Sequence, residues 1–221
     1  MTTKTILIGA SSPCDSNSWD NIPWKGAKTH VFRLQMPIAK ARREGRFGKV
    51  KPLQRILTHS FYSKCLAAKQ VISNTGKNIP GIDGEIWRTN LQKIRAVESL
   101  KRRGYKPLPL KRIYIPKKRD DKNHPLSIPV MKDRAMQAIW VLALYPIAEK
   151  KADLNSYGFR ARRSAHDAIE QCFVALGRKR SAKFVLEGDI KACFDRISHE
   201  WLLKNIPMDK VILQKFLKHS L

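Results

Sequence analysis

The stretch Asp133–Lys150 constrains this chain most. Met136, Ile139, Trp140, Ala143, Leu144, Ile147 and Ala148 recur at helical spacing and predict a helix with a wide apolar face. A face of that width has to be covered by other elements. Trp24–Arg43 brings Val31, Leu34, Ile38 and Ala39 at helical spacing, with Pro37 predicting a kink or break. Lys51–Ile72 reads as one further amphipathic helix on Leu53, Ile56, Leu57, Phe61, Leu66 and Val71. Helices are also expected over Thr89–Arg103, over Ala165–Arg178 behind a Ser164/Asp167 capping box, and over Met208–Leu217. Residues 1–22 are Ser/Thr/Asn-rich and read as a tail.

Two segments carry strand character. Leu110–Pro116 and Pro125–Pro129 flank a polar tip, Lys117–Asn123, and predict a β-hairpin. Phe184-Val185-Leu186 is a short apolar run that reads as a buried strand ending at Glu187-Gly188-Asp189, before a helix capped by Ser198. A carboxylate there can hold a divalent cation where a polyanion arrives, or it can pair with a nearby arginine. The expected class is α+β: helix-rich, with a β-hairpin and a short antiparallel sheet.

Charge narrows the partners. Lys and Arg number 44 against 18 Asp and Glu, a net charge of +26. Such a surplus repels itself unless a polyanion neutralises it, so nucleic acid leads over a ribosomal-type structural role or an acidic membrane. No apolar run approaches the ~20 residues of a membrane span, and Thr5–Ala10 is too short for a secretion signal. Cys14, Cys65, Cys172 and Cys193 form no Cys-x-x-Cys pair, and the six histidines show no metal spacing. A zinc site is therefore not expected and a reducing compartment is. The interval 101–120 is the most basic, with nine Lys/Arg against one Asp.

Four blocks resemble the N-terminal part of group II intron-encoded reverse transcriptase/maturase proteins. The first runs from Trp24 to Gly104 and continues through Tyr105-Lys106-Pro107; it contains Pro80-Gly81-Ile82-Asp83-Gly84. The second is Tyr114-Ile115-Pro116-Lys117 with Pro125-Leu126-Ser127-Ile128-Pro129 and Lys132-Asp133-Arg134-Ala135-Met136-Gln137. The third is Ser156-Tyr157-Gly158-Phe159-Arg160 with Arg163-Ser164-Ala165-His166-Asp167-Ala168. The fourth is Asp189-Ile190-Lys191-Ala192-Cys193-Phe194-Asp195-Arg196-Ile197-Ser198-His199-Glu200.

The resemblance implies the fingers and partial palm of a right-hand polymerase: a tail at 1–22, a helical extension at 23–106, fingers at 107–182 and the start of the palm at 183–221. It implies RNA-templated DNA synthesis with two Mg²⁺ ions about 3.5–4 Å apart, and a maturase role on intron RNA. Asp189 would be a catalytic metal ligand, with the carbonyl of Ile190 touching a metal. Lys117 and His124 would lie against the triphosphate and Phe194 beneath the sugar. Without the resemblance, Lys117 reads as a solvated tip residue and Phe194 as a core aromatic.

The charge runs point to phosphate contact. In the extension these are Arg42, Arg43, Arg46, Lys49 and Lys51. Further along they are Lys101, Arg102, Arg103 and Lys106; Lys111, Arg112, Lys118 and Arg119 in the hairpin; and Arg160, Arg162 and Arg163 after it. That the polyanion is RNA is implied by the resemblance.

The sequence also departs from the family. The remaining metal ligands belong to a Tyr-x-Asp-Asp motif that residues 1–221 do not contain. His124 stands where the family usually has Arg and cannot offer a two-pronged charged contact when neutral. Glu187 replaces the common Asp, and Arg162 stands where the family tends to have Gly. The expectation is the N-terminal portion of a group II intron enzyme, inactive alone and completed by a C-terminal polypeptide. Intron RNA and a DNA primer or target would be its partners, in a bacterial cytoplasm or an organellar matrix. The alternatives are a non-catalytic RNA-binding splicing factor and a degenerate fragment.

Overall fold

A computed structural model describes residues 19–117 and 120–218, with backbone alone at 117 and 120–124. Eight α-helices and one hairpin are formed among them: α1 Trp24–Arg43, α2 Phe47–His59, α3 Phe61–Ser73, α4 Asn90–Ser99, β1 Lys111–Lys117, β2 Asp120–Ile128, α5 Met131–Lys151, α6 Ala165–Leu176, α7 His199–Asn205 and α8 Lys210–Lys218. No helix among the described residues is long and apolar enough to cross a membrane. The chain divides into two units. One takes the residues through Val31 with His59–Ala138, and the other takes Phe32–Thr58 with Ile139 onward.

In the first unit, Cys65, Ala67, Ala68 and Val71 of α3 are buried, as are Ala96 and Val97 of α4. Small residues on α3 let the backbones approach closely. Trp19 and Trp24 meet at 4.9 Å between ring centroids, and the Lys69 ammonium sits 3.9 Å from the Trp24 ring centroid. The Thr89 hydroxyl accepts from the Gln92 backbone N–H, and the Gln92 side chain accepts from that of Thr89, a reciprocal cap that starts α4. The hairpin pairs antiparallel from Lys111↔Ile128 to Pro116↔Asn123, with an irregularity before Lys117↔Asp120.

In the second unit, the Gln35 amide donates to the Leu142 carbonyl at 2.7 Å. The buried Gln54 donates to the carbonyls of Ala143 at 3.5 Å and Pro207 at 2.8 Å. Ile139, Trp140, Ala143 and Ile147 of α5 are buried, as the predicted face requires.

Several expectations need correction. Lys51–Ile72 is two helices, parted at Ser60, whose backbone is extended at φ −60°, ψ 132°. Apolar stripes continue on both sides of the break, so periodicity could not reveal it. Pro37 does not break α1: it removes one backbone donor, while Ile38 and Ala41, both buried, anchor the next turn. α4 ends at Ser99, where Leu100 N–H bonds back to Val97, and not at Arg103. The hairpin strands reach into the expected tip because ladder bonds are made by backbone, whatever the side chains. Phe184-Val185-Leu186 forms no strand, and its side chains are 93%, 72% and 97% exposed. A strand is held by a neighbour's ladder, and among the described residues the hairpin is the only sheet. The short antiparallel sheet of the expected class is thus that hairpin.

Candidate functional site

The first unit is most tightly organised where β2 gives way to α5. Asp133 is 4% exposed, and its carboxylate accepts the Tyr105 hydroxyl at 2.7 Å and the Leu108 backbone N–H at 3.0 Å. Burial, and then that bond to a carboxylate, push the Tyr105 phenol well above the ordinary tyrosine range. The neighbouring Arg134 donates to the carbonyls of Pro129 (2.8 Å), Gly76 (3.0 Å) and Ile79 (2.7 Å). One guanidinium thereby ties the loop after α3 to the start of α5. Gly81 completes the junction: a Cβ there would stand 2.6 Å from the Val130 Cα, so only glycine fits. Sequence patterns gave Asp133 and Arg134 no role of their own, and two adjacent charges opening a helix with a wide apolar face were the available signal.

The candidate phosphate contacts fall on both units. Lys101, Arg102, Arg103, Lys106, Lys111 and Arg112 are exposed on the first, around the loop into β1. Their field is felt nearby: burial, and then the charge of Lys101, lower the pKa of Lys64. Arg43, Arg46, Lys49 and Lys51 are exposed on the second, with Arg42 half-buried and its guanidinium 4.5 Å from the Phe47 ring centroid. The side chains of Lys117 and His124 and all of Lys118 and Arg119 lie outside what is described.

Arg160 is engaged inside its own unit. It makes a two-pronged contact to Glu149 at 3.1 and 2.8 Å and donates to the carbonyls of Asp153 and Ser156. This bond to Arg160 holds the Glu149 carboxyl below the usual range. The side chain expected at phosphate therefore fastens the loop between α5 and α6. Arg162 has φ 60°, a left-handed backbone that glycine adopts without strain. Arg163 lies over the Tyr157 ring at 5.5 Å, and Ser164 and Asp167 form the expected capping box of α6.

Asp189 is exposed and its Oδ1 accepts from the Ile190 backbone N–H at 2.9 Å. Phe194 is 77% exposed, not a core aromatic. Ser198 caps α7 as expected, accepting from the Trp201 N–H. Among the described residues no three His, Cys, Asp or Glu side chains converge where a cation could be held. Magnesium takes oxygen ligands in near-octahedral array and keeps several waters, so one or two protein carboxylates are enough to hold it. The exposed Asp189 would offer one such carboxylate, and the further ligands of a metal pair are not among the residues gathered here.

Comparison with known proteins places this arrangement. A family model described as the N-terminal domain of reverse transcriptase matches residues 19–100, and one described as reverse transcriptase (RNA-dependent DNA polymerase) matches 115–219. Protein YkfC of Escherichia coli is 39% identical over 149 residues, covering 63% of this chain and 38% of that protein. Group II intron-encoded protein LtrA of Lactococcus lactis is 36% identical over 162 residues, 69% of this chain and 26% of LtrA. An uncharacterised 91 kDa protein in the cob intron of Schizosaccharomyces pombe is 34% identical over 124 residues, 56% of this chain and 15% of that protein. The chain thus spans well under half the length of each. It belongs to the group II intron-encoded reverse transcriptase family and corresponds to the N-terminal part of those proteins.

Proposed function

We propose that this chain is the RNA-binding, template-handling front of a group II intron reverse transcriptase/maturase. The observation carrying this reading is the succession of two reverse transcriptase segments with a basic hairpin at their junction, in a chain of net charge +26. In this reading residues 1–22 are a tail, 23–106 the extension, 107–182 the fingers and 183–221 the opening of the palm. Exposed cations on α2 and around the loop into β1 meet intron RNA phosphates, and a DNA primer or target is the second nucleic acid. Asp189 supplies one metal-binding carboxylate, and the others come from the remainder of the palm, in the same or another polypeptide. Lys117 and His124 meet the incoming triphosphate, with Phe194 under its sugar.

Filter binding of structured intron RNA across a salt series tests the binding half. Affinity should fall linearly on log–log axes by roughly 0.9 per phosphate neutralised in duplex regions, and a flat response overturns it. Primer extension in Mg²⁺, with the missing palm and thumb supplied as a second polypeptide, tests the enzymatic half. Asp189→Ala should then abolish synthesis and leave RNA affinity unchanged. No synthesis by the reconstituted wild type, with RNA affinity intact, would favour the second reading, a non-catalytic RNA-binding splicing factor. That no three His, Cys, Asp or Glu side chains converge among the described residues is the observation on that side.

A further inference from the structure

Four cations from four helices converge on one cavity of the second unit. Arg42 near the end of α1, Lys51 in α2, Lys204 in α7 and Lys210 at the start of α8 line a space of about 280 Å³. Among the described residues lining it none is acidic, and Phe47, Val50 and Pro207 supply apolar wall. The scaffold is fixed. Gln54, 1% exposed, holds the Pro207 carbonyl and so pins the connector between α7 and α8 against α2. The Asp209 carboxylate accepts the N–H groups of Val211 and Ile212 and sets the first turn of α8. The Lys210 ammonium is held by the Ile206 carbonyl at 2.8 Å, a bond that positions its charge without cancelling it. Arg42 covers part of the Phe47 ring, which is still 58% exposed.

Like charges gathered around one cavity repel, and an anion among them relieves that repulsion. An exposed aromatic ring beside clustered cations is the combination that takes a nucleic-acid base next to its phosphate. We propose that this cavity binds one nucleotide unit of a single-stranded RNA segment, its phosphate among Arg42, Lys51, Lys204 and Lys210 and its base against Phe47. The inference rests on the RNA reading above and adds a defined subsite, in which Lys204 of α7 and Lys210 of α8, to which sequence patterns gave no role, join Arg42 and Lys51.

The test uses the full chain and a fluorescein-labelled 20-nucleotide oligouridylate, read by anisotropy across a salt series. Lys204→Ala/Lys210→Ala should raise Kd at least about tenfold and reduce the salt slope by roughly 0.7 for each phosphate no longer neutralised. Lys179→Ala/Lys183→Ala removes the same charge from exposed positions outside the cavity and should change Kd by less than about twofold. Equal losses in the two double variants would overturn the subsite. Phe47→Leu should weaken the RNA about fivefold and leave competition by inorganic tripolyphosphate unchanged. RNA binding by Phe47→Leu equal to wild type would overturn the nucleotide assignment, since the cavity would then take a phosphate from either source. Failure of the wild type to bind the oligonucleotide would instead overturn the RNA reading beneath it.

Discussion

The junction between residues 76–81 and 129–134 and the segment from 148 to 207 follow opposite rules. At the junction a carboxylate, a guanidinium and a glycine are locked by close contacts, and Val130, Met131 and Ala135 are fully covered. From 148 to 207 no described residue is buried, although the stretch holds Phe173, Phe184, Leu186 and Phe194, all more than three-quarters exposed. α6 has the periodicity of a core helix, with Ile169, Phe173 and Leu176 on display. Large exposed apolar patches mark surfaces that bind something. One part of the chain is therefore finished by its own sequence, while the other is written for contacts it does not make within the described residues.

The largest test of that contrast is Gly81→Ala. Its Cβ meets the Val130 backbone, which cannot swing away as a side chain could, so a loss of about 3 kcal/mol is expected in urea unfolding. A midpoint matching wild type would mean the junction is not tightly closed. Alkaline pH gives the next effect. Burial pushes the Cys65 thiol from 9.0 up to about 12. The folded state then holds a proton the unfolded chain releases, so stability is whole below pH 9 and declines as pH rises toward 12, at up to roughly 1.4 kcal/mol per pH unit. Cys65→Ala should flatten the decline between pH 9 and 10, and an unchanged slope would contradict the burial argument.

A smaller effect separates two caps of the same design. Thr89→Ala should lower the global unfolding midpoint, costing about 1 kcal/mol, because α4 packs into the covered unit. Ser164→Ala should leave the midpoint in place and only speed amide exchange in α6. Equal midpoint shifts would erase the distinction between the regions. The smallest expected change is Phe173→Ser: stability within about 0.5 kcal/mol of wild type, with reduced binding of an apolar dye. A loss of several kcal/mol would show that this ring is covered in solution.

Periodicity and capping were local enough to read directly. The α5 face, the Thr89–Asn90 start of α4, the Ser164/Asp167 box and the Ser198 cap all follow from residues within a turn of one another. The break at Ser60 was illegible because the apolar stripe runs through it, and the two halves differ only in which unit covers them. The Phe184–Leu186 run was misleading for a related reason: apolar composition states that a segment prefers burial, not that a partner is present. Arg160 was read from its charge, and its role was set by Glu149 eleven residues earlier.

The sequence by itself determined the family, the basic character of the chain and most helix limits, because motifs, charge totals and hydrogen bonding within a turn are properties of neighbours along the chain. Tertiary structure alone decided that Asp133 and Arg134 clasp the loop at Gly76–Gly81, that Arg160 turns inward, and that Lys204 and Lys210 stand beside Arg42 and Lys51. Those outcomes depend on which distant groups are close enough to share a hydrogen bond or a field, and sequence spacing carries no record of that distance.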